Sequence, residues 1–109
     1  MTQGIVEEVV FELRAGVAEA EFLRAAEAVN RWAVRQPGFE YRCLTKSADG
    51  RWFDLRFWSG ADAAERAARA LARDAAGAAF LSLVAPGSVA TARRPVMARK
   101  APAGLMLAA

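Results

Sequence analysis

The sequence predicts an α+β domain with the element order β-α-β-β-α-β, and three observations carry that expectation. Residues 51–59, Arg-Trp-Phe-Asp-Leu-Arg-Phe-Trp-Ser, alternate strictly between two sets of side chains, which is the period of a strand. Asp49-Gly50 just before them is a strong hairpin signal. Apolar residues at helical spacing flank this hairpin on both sides, and further strand-like runs stand near each end of the chain. Two βαβ halves with right-handed crossovers then give a four-stranded antiparallel sheet with two main helices on one face.

In chain order, residues 5–14 (Ile-Val-Glu-Glu-Val-Val-Phe-Glu-Leu-Arg) read as the first strand. Val9, Phe11 and Leu13 share its core face, and Glu8, Val10 and Glu12 point the other way. The alternation is imperfect at Val6–Glu7, which leaves the register open by one residue. Gly16 breaks this strand. A helix is expected from about Ala18 to Gln36, with Phe22, Ala25, Ala26, Val29, Trp32 and Ala33 as its apolar stripe. Pro37-Gly38 ends it, because proline disfavours a helical residue before it and glycine accepts the turn.

The second strand is expected from Phe39 to Lys46, the hairpin turn at 47–50 and the third strand at 51–59. On the third strand Phe53, Leu55 and Phe57 read as the core face. Trp52, Asp54, Arg56 and Trp58 then form the open face. A hairpin loop of two or four residues puts Tyr41, Cys43 and Thr45 on that same open face, whereas a three-residue loop reverses the pairing. Ser59 with Asp62, or Asp62 with Glu65, caps the second helix. Its stripe of Ala64, Ala67, Ala68, Leu71 and Ala75 is thin and suits close packing on a sheet. Gly77 interrupts the pattern, which resumes over 78–84 as a short separate helix. Pro86-Gly87 ends this segment. Residues 88–94 read as a fourth strand, which Pro95 stops or places at an edge.

The length of 109 residues suits one domain, here 1–95, followed by a tail at 96–109 that packs on a neighbour or frays. The formal charge is +3, but no acidic residue follows Asp74, so residues 1–74 hold 11 basic and 12 acidic groups. The positive excess belongs to the last 35 residues, with Arg93, Arg94, Arg99 and Lys100, and does not imply a basic nucleic-acid-binding face. With no histidine and only Cys43, the chain lacks the commonest metal ligand and general base and cannot form an internal disulfide. No dinucleotide fingerprint is present, and no apolar run is long enough to span a bilayer. The start of the chain lacks the features of a signal peptide. The expectation is a cytoplasmic protein without haem, flavin or metal as an intrinsic cofactor.

An open sheet face that carries Trp52, Trp58 and Tyr41 needs a cover. RNA-binding sheets of this topology carry a glycine- and aromatic-rich run on the third strand, which is absent here. A second protomer fits better. Here the chain resembles the dimeric α/β-barrel proteins with a ferredoxin-like fold, especially those of the antibiotic-biosynthesis-monooxygenase type. The resemblance rests on Gln36-Pro37-Gly38-Phe39, the Asp49-Gly50 hairpin, the 52–59 strand, Ala61-Asp62-Ala63 and Ala85-Pro86-Gly87-Ser88-Val89.

The resemblance implies a homodimer in which two sheets pack into a barrel, with a pocket in the barrel or between sheet and helices. It implies either cofactor-free oxygenation of a small aromatic or polyketide-like molecule, or a non-catalytic role in ligand binding or assembly. Relatives that degrade haem hold the iron through a histidine that this chain lacks. The cofactor-free oxygenases use tryptophan, tyrosine and asparagine, and the single asparagine here is Asn30. Tyr41, Trp52, Asp54, Arg56 and Trp58 are the candidate ligand-binding residues. Asp54 and Arg56 read as a buried pair that sets dimer register or anchors an anionic or phenolic ligand. Trp52 and Trp58, roughly 20 Å apart along a strand, cannot both line one small site.

Overall fold

A computed structural model describes residues 3–102. Its elements are β1 (Ile5–Phe11), α1 (Glu19–Ala33), β2 (Phe39–Lys46), β3 (Trp52–Trp58), α2 (Ala61–Leu71), α3 (Ala75–Ser82) and β4 (Ala90–Pro95). The strands form one antiparallel sheet in the order β2-β3-β1-β4. This is the ferredoxin-like arrangement expected from the element order. The helices pack on one face, where Phe11, Phe22, Trp52 and Phe80 meet ring against ring at 4.8–5.7 Å. Such tilted and edge contacts suit the charge distribution of aromatic rings and bury a large apolar area in a small domain.

The sides of β3 are the reverse of the expectation. Trp52, Asp54 and Trp58 are buried under the helices, while Phe53, Leu55 and Phe57 lie half-buried on the open face. Strict alternation shows that a strand has two unlike sides and is silent on which is inside. Burying this side places two indoles, the largest side chains of the strand, in the core. The charges between them can go inside because Arg42, on the neighbouring strand, neutralises Asp54.

The turn sets the β2–β3 register. Ser47 and Arg51 pair through their backbones at 2.8 Å, leaving Ala48-Asp49-Gly50 as a three-residue loop. Gly50 closes it at φ 90°, a conformation that costs glycine nothing. Tyr41 therefore pairs with Phe57, Cys43 with Leu55 and Thr45 with Phe53. Tyr41 sits on the open face, opposite to Trp52, Asp54, Arg56 and Trp58, so the five candidate residues do not share one surface.

Other boundaries shift by small steps. α1 ends at Ala33, and residues to Gln36 continue as a tighter turn through Arg35 N–H to Trp32 O and Gln36 N–H to Ala33 O. β1 stops at Phe11, and Leu13 rejoins as a single bridge to Val84. Neither expected cap of α2 forms. Gly60 is its N-cap, and no side chain caps it. At α3, Asp74 does cap, accepting from Ala76 N–H at 2.9 Å. β4 is an edge strand and ends at Pro95.

The described part of the tail forms no strand or helix. Val96 N–H donates to Gly4 O at 2.8 Å, and Arg99 pairs with the buried Glu40 carboxylate at 2.6 Å. Leu105-Met106-Leu107, read from sequence as a segment that folds over a neighbour or frays, lies outside the described residues.

Candidate ligand-binding site

The period of two along β1 turns Glu7, Val9 and Phe11 to the helices, and the same period on β3 turns Asp54 and Arg56 inward. The sheet register then sets Arg42, Arg56, Glu7 and Arg93 side by side, one from each of β2, β3, β1 and β4. Like charges directly opposite, such as Arg42 and Arg56, repel across strands. Asp54 resolves this by standing between them. It is fully buried and accepts from Arg42 Nε at 3.0 Å, Arg42 Nη2 at 2.7 Å and Arg56 Nη2 at 3.0 Å. Burial by itself raises the Asp54 pKa. The hydrogen bonds and charges of Arg42 and Arg56 outweigh burial and hold the carboxyl below its ordinary value.

Arg42 also donates from Nη1 to Ala26 O at 3.0 Å and to Asn30 Oδ1 at 2.8 Å, which ties the charged row to α1. Asn30 in turn donates to Glu27 at 3.0 Å. Its role is to position Arg42, and it does not line the cavity described next. At the other end of the row, Arg93 donates to Glu7 Oε2 and Glu65 Oε2, each at 2.8 Å. Those bonds raise the Arg93 pKa, Glu65 contributing most.

A cavity of about 260 Å³ lies between this end of the row and the helices α2 and α3. Phe11, Phe80, Leu71 and Val84 form its apolar walls, and Arg56, Glu7 and Arg93 its charged side. Gly77 lets α3 close against α2, since a Cβ there would collide with the Leu71 carbonyl oxygen. A second depression near Ser59, Asp62 and Arg66 has a volume of about 500 Å³. It has neither an aromatic wall nor a buried charge, so the first cavity has the character of a ligand site.

Of the candidates read from the sequence, Arg56 lines this cavity and Asp54 supports it from behind. Trp52 packs on Phe22 at 4.8 Å, and Trp58 packs on Phe39 at 5.5 Å with its Nε1 buried and unpaired among the described residues. Tyr41, 44% exposed, packs edge-on to Phe57 at 5.8 Å on the other side of the sheet. Glu7 and Arg93 escaped sequence reading, and Arg42, which the sequence offered as a partner for Glu8 or Glu12, pairs with Asp54 while Glu8 pairs with Arg94. For Glu7 the signal was present: counting back by twos from Phe11 places it inward. Arg42 and Arg93 depend on registers that the sequence leaves open.

Among the described residues, no group of three or more His, Cys, Asp or Glu side chains is arranged to hold a metal ion. Among the same residues, no helix is long and apolar enough to cross a membrane.

No family model matches the chain, and neither does any curated protein. Solved structures do. SnoaB, a cofactor-independent oxygenase from Streptomyces nogalater, is 19% identical with a TM-score of 0.65, over 94% of this chain and 99% of that one. A protein from Bordetella bronchiseptica, provisionally assigned as an antibiotic biosynthesis monooxygenase, is 14% identical with a TM-score of 0.70, over 85% and 96%. A protein of unknown function from Nitrosomonas europaea is 15% identical with a TM-score of 0.68, over 94% and 98%. At these identities the likeness is one of fold. The chain has the ferredoxin-like α+β fold found in antibiotic-biosynthesis-monooxygenase-like proteins.

Proposed function

We propose that this chain, built on the fold it shares with SnoaB, binds a small aromatic or polyketide-like molecule between its sheet and helices and oxygenates it without a cofactor. The observation that carries this reading is the cavity itself: apolar and aromatic walls with a guanidinium, Arg56, at one side. Its volume is at the small end for ligand pockets, which suits a compact aromatic ring system. Apolar walls hold the rings, and Arg56 stabilises negative charge on a phenolic oxygen as it develops.

In such a reaction the substrate supplies all the electrons. The phenolic proton leaves, the electron-rich ring carbon forms a bond to O2, and a hydroperoxide results on protonation. Loss of water from it yields the quinone, with one oxygen atom retained and the other released as water. Asp54 and Arg42 position Arg56. Trp52 and Trp58 serve the core, and Tyr41 belongs to the open face.

The protein works as a cytoplasmic homodimer in this reading. Val6, Val10, Phe53, Leu55 and Phe57 form a half-buried apolar strip across the open face, and a second copy covers it. A non-catalytic ligand-binding role has one observation in its favour: every charged group on the cavity is part of an ion pair. Oxygen uptake with a panel of mono- and polycyclic phenols separates the two. Catalysis requires one O2 consumed per quinone formed, whereas saturable binding without oxygen uptake overturns the oxygenase and leaves the binding protein.

A further inference from the structure

The charged side of the cavity carries two atoms that the fold itself does not use. Glu7 Oε2 accepts from Arg93 at 2.8 Å, but Oε1 accepts no hydrogen bond among the described residues. Arg56 Nη1 stands 3.7 Å from it, too far for a hydrogen bond. Arg56 Nη2 is committed to Asp54, and Nε is shut away from any partner. Nη1 donates to nothing among the described residues and, unlike Nε, is not sealed in. The two side chains are only 5% and 14% exposed, and both line the cavity. An open acceptor and an open donor thus face one small apolar space, where leaving either unpaired is costly.

Resting on the proposed ligand cavity, the geometry points to Glu7 and Arg56 as a specificity pair that selects a neutral hydroxyl on the ligand. One oxygen about 2.8 Å from both atoms completes the pair. Its O–H donates to Glu7 Oε1, and its lone pair accepts from Arg56 Nη1. An ether lacks the donor. A ligand already ionised meets the Glu7 carboxylate as a like charge. The ligand class is therefore a phenol or enol that enters protonated. Glu7 is the carboxylate that lines the cavity, so its Oε1 takes the proton and leaves Arg56 against the oxyanion.

The test compares 2-naphthol with its methyl ether by calorimetric titration of the wild-type protein. The pH dependence of naphthol binding is followed by the absorbance of the ionised form. Naphthol binds about ten- to hundredfold tighter than the ether, as for a hydrogen bond to a charged group. Its affinity falls as naphthol ionises. In Glu7→Gln the preference over the ether shrinks, and bound naphthol ionises at lower pH because the neighbouring negative charge is gone. A purely packing role for Glu7 would weaken both ligands together and leave the pH profile unmoved. Equal wild-type affinity for naphthol and ether overturns the specificity pair and leaves the cavity reading intact. Failure of both ligands to bind overturns the two together. The wild-type comparison decides even if Glu7→Gln does not fold.

Discussion

Arg42 holds Asp54 in a two-pronged grip, Nε to Oδ1 at 3.0 Å and Nη2 to Oδ2 at 2.7 Å, at a point where Asp54 has no exposed surface. The pair joins β2 to β3 and, through Arg42 Nη1, both strands to α1. It also fixes Arg56, whose Nη2 shares the same carboxylate oxygen. The ion pair is thus the support on which the cavity's guanidinium is set.

Removing the charge of Asp54 leaves two buried guanidinium groups facing each other. Asp54→Asn is expected to lower stability by about 3–5 kcal/mol, the range for breaking a buried pair from one side. Urea denaturation at neutral pH, with the slope compared between variants, measures it.

The acid response follows from the same residue. The folded-state pKa of Asp54 lies below its ordinary value of 3.8. A depressed carboxyl contributes stability that is present above the unfolded pKa and is lost as pH falls through the folded one. Wild-type stability is therefore expected to decline from about pH 4 downward, and Asp54→Asn to show a shallower decline over that window. Parallel curves would remove Asp54 as a cause.

Gly77 carries a packing prediction. Gly77→Ala adds a Cβ against the Leu71 carbonyl oxygen, and backbone cannot swing aside as a side chain can. A loss of about 1–3 kcal/mol is expected from overpacking. Thermal melting compared with Ala78→Gly, at an exposed neighbour, separates this from helix propensity alone.

The inversion of β3 relocates the contact expected in a dimer. From the sequence, Trp58 and Arg56 belonged to the exposed face; in the structure Leu55 and Phe57 do. Leu55→Glu is expected to yield a folded monomer at micromolar concentration by sedimentation, while Trp58→Ala destabilises the fold itself by about 3–5 kcal/mol. Dimerisation that survives Leu55→Glu would place the interface elsewhere.

Element order, the hairpin and the helix exits were legible because each is written locally, in alternation, in Asp49-Gly50 and in Pro37-Gly38. The side of each strand was only half legible. On β1, Phe11 and Val9 marked the core side, and Glu7 follows by the same period although the alternation is imperfect at Val6–Glu7. On β3 both sides carried aromatics, so the choice rested on whether Asp54 and Arg56 would find partners. Those partners, Arg42 and Glu7, lie on other strands, and their registers come from a three-residue loop and a crossover. A cavity depends on such registers throughout, which is why Arg56 was visible in the sequence as a candidate and its neighbour Arg93 was not.

The measurement that bears most directly on the central claim is the binding and oxygenation of phenols by a cavity-filled variant. Ala68 lines the cavity from α2 yet is exposed, so Ala68→Trp can place an indole across the space without disturbing the core. The variant is expected to keep its circular dichroism spectrum and to lose naphthol binding and oxygen uptake at least tenfold, an indole outweighing several hydrogen bonds in a site this small. Wild-type binding and turnover in folded Ala68→Trp would contradict a ligand site between the sheet and the helices.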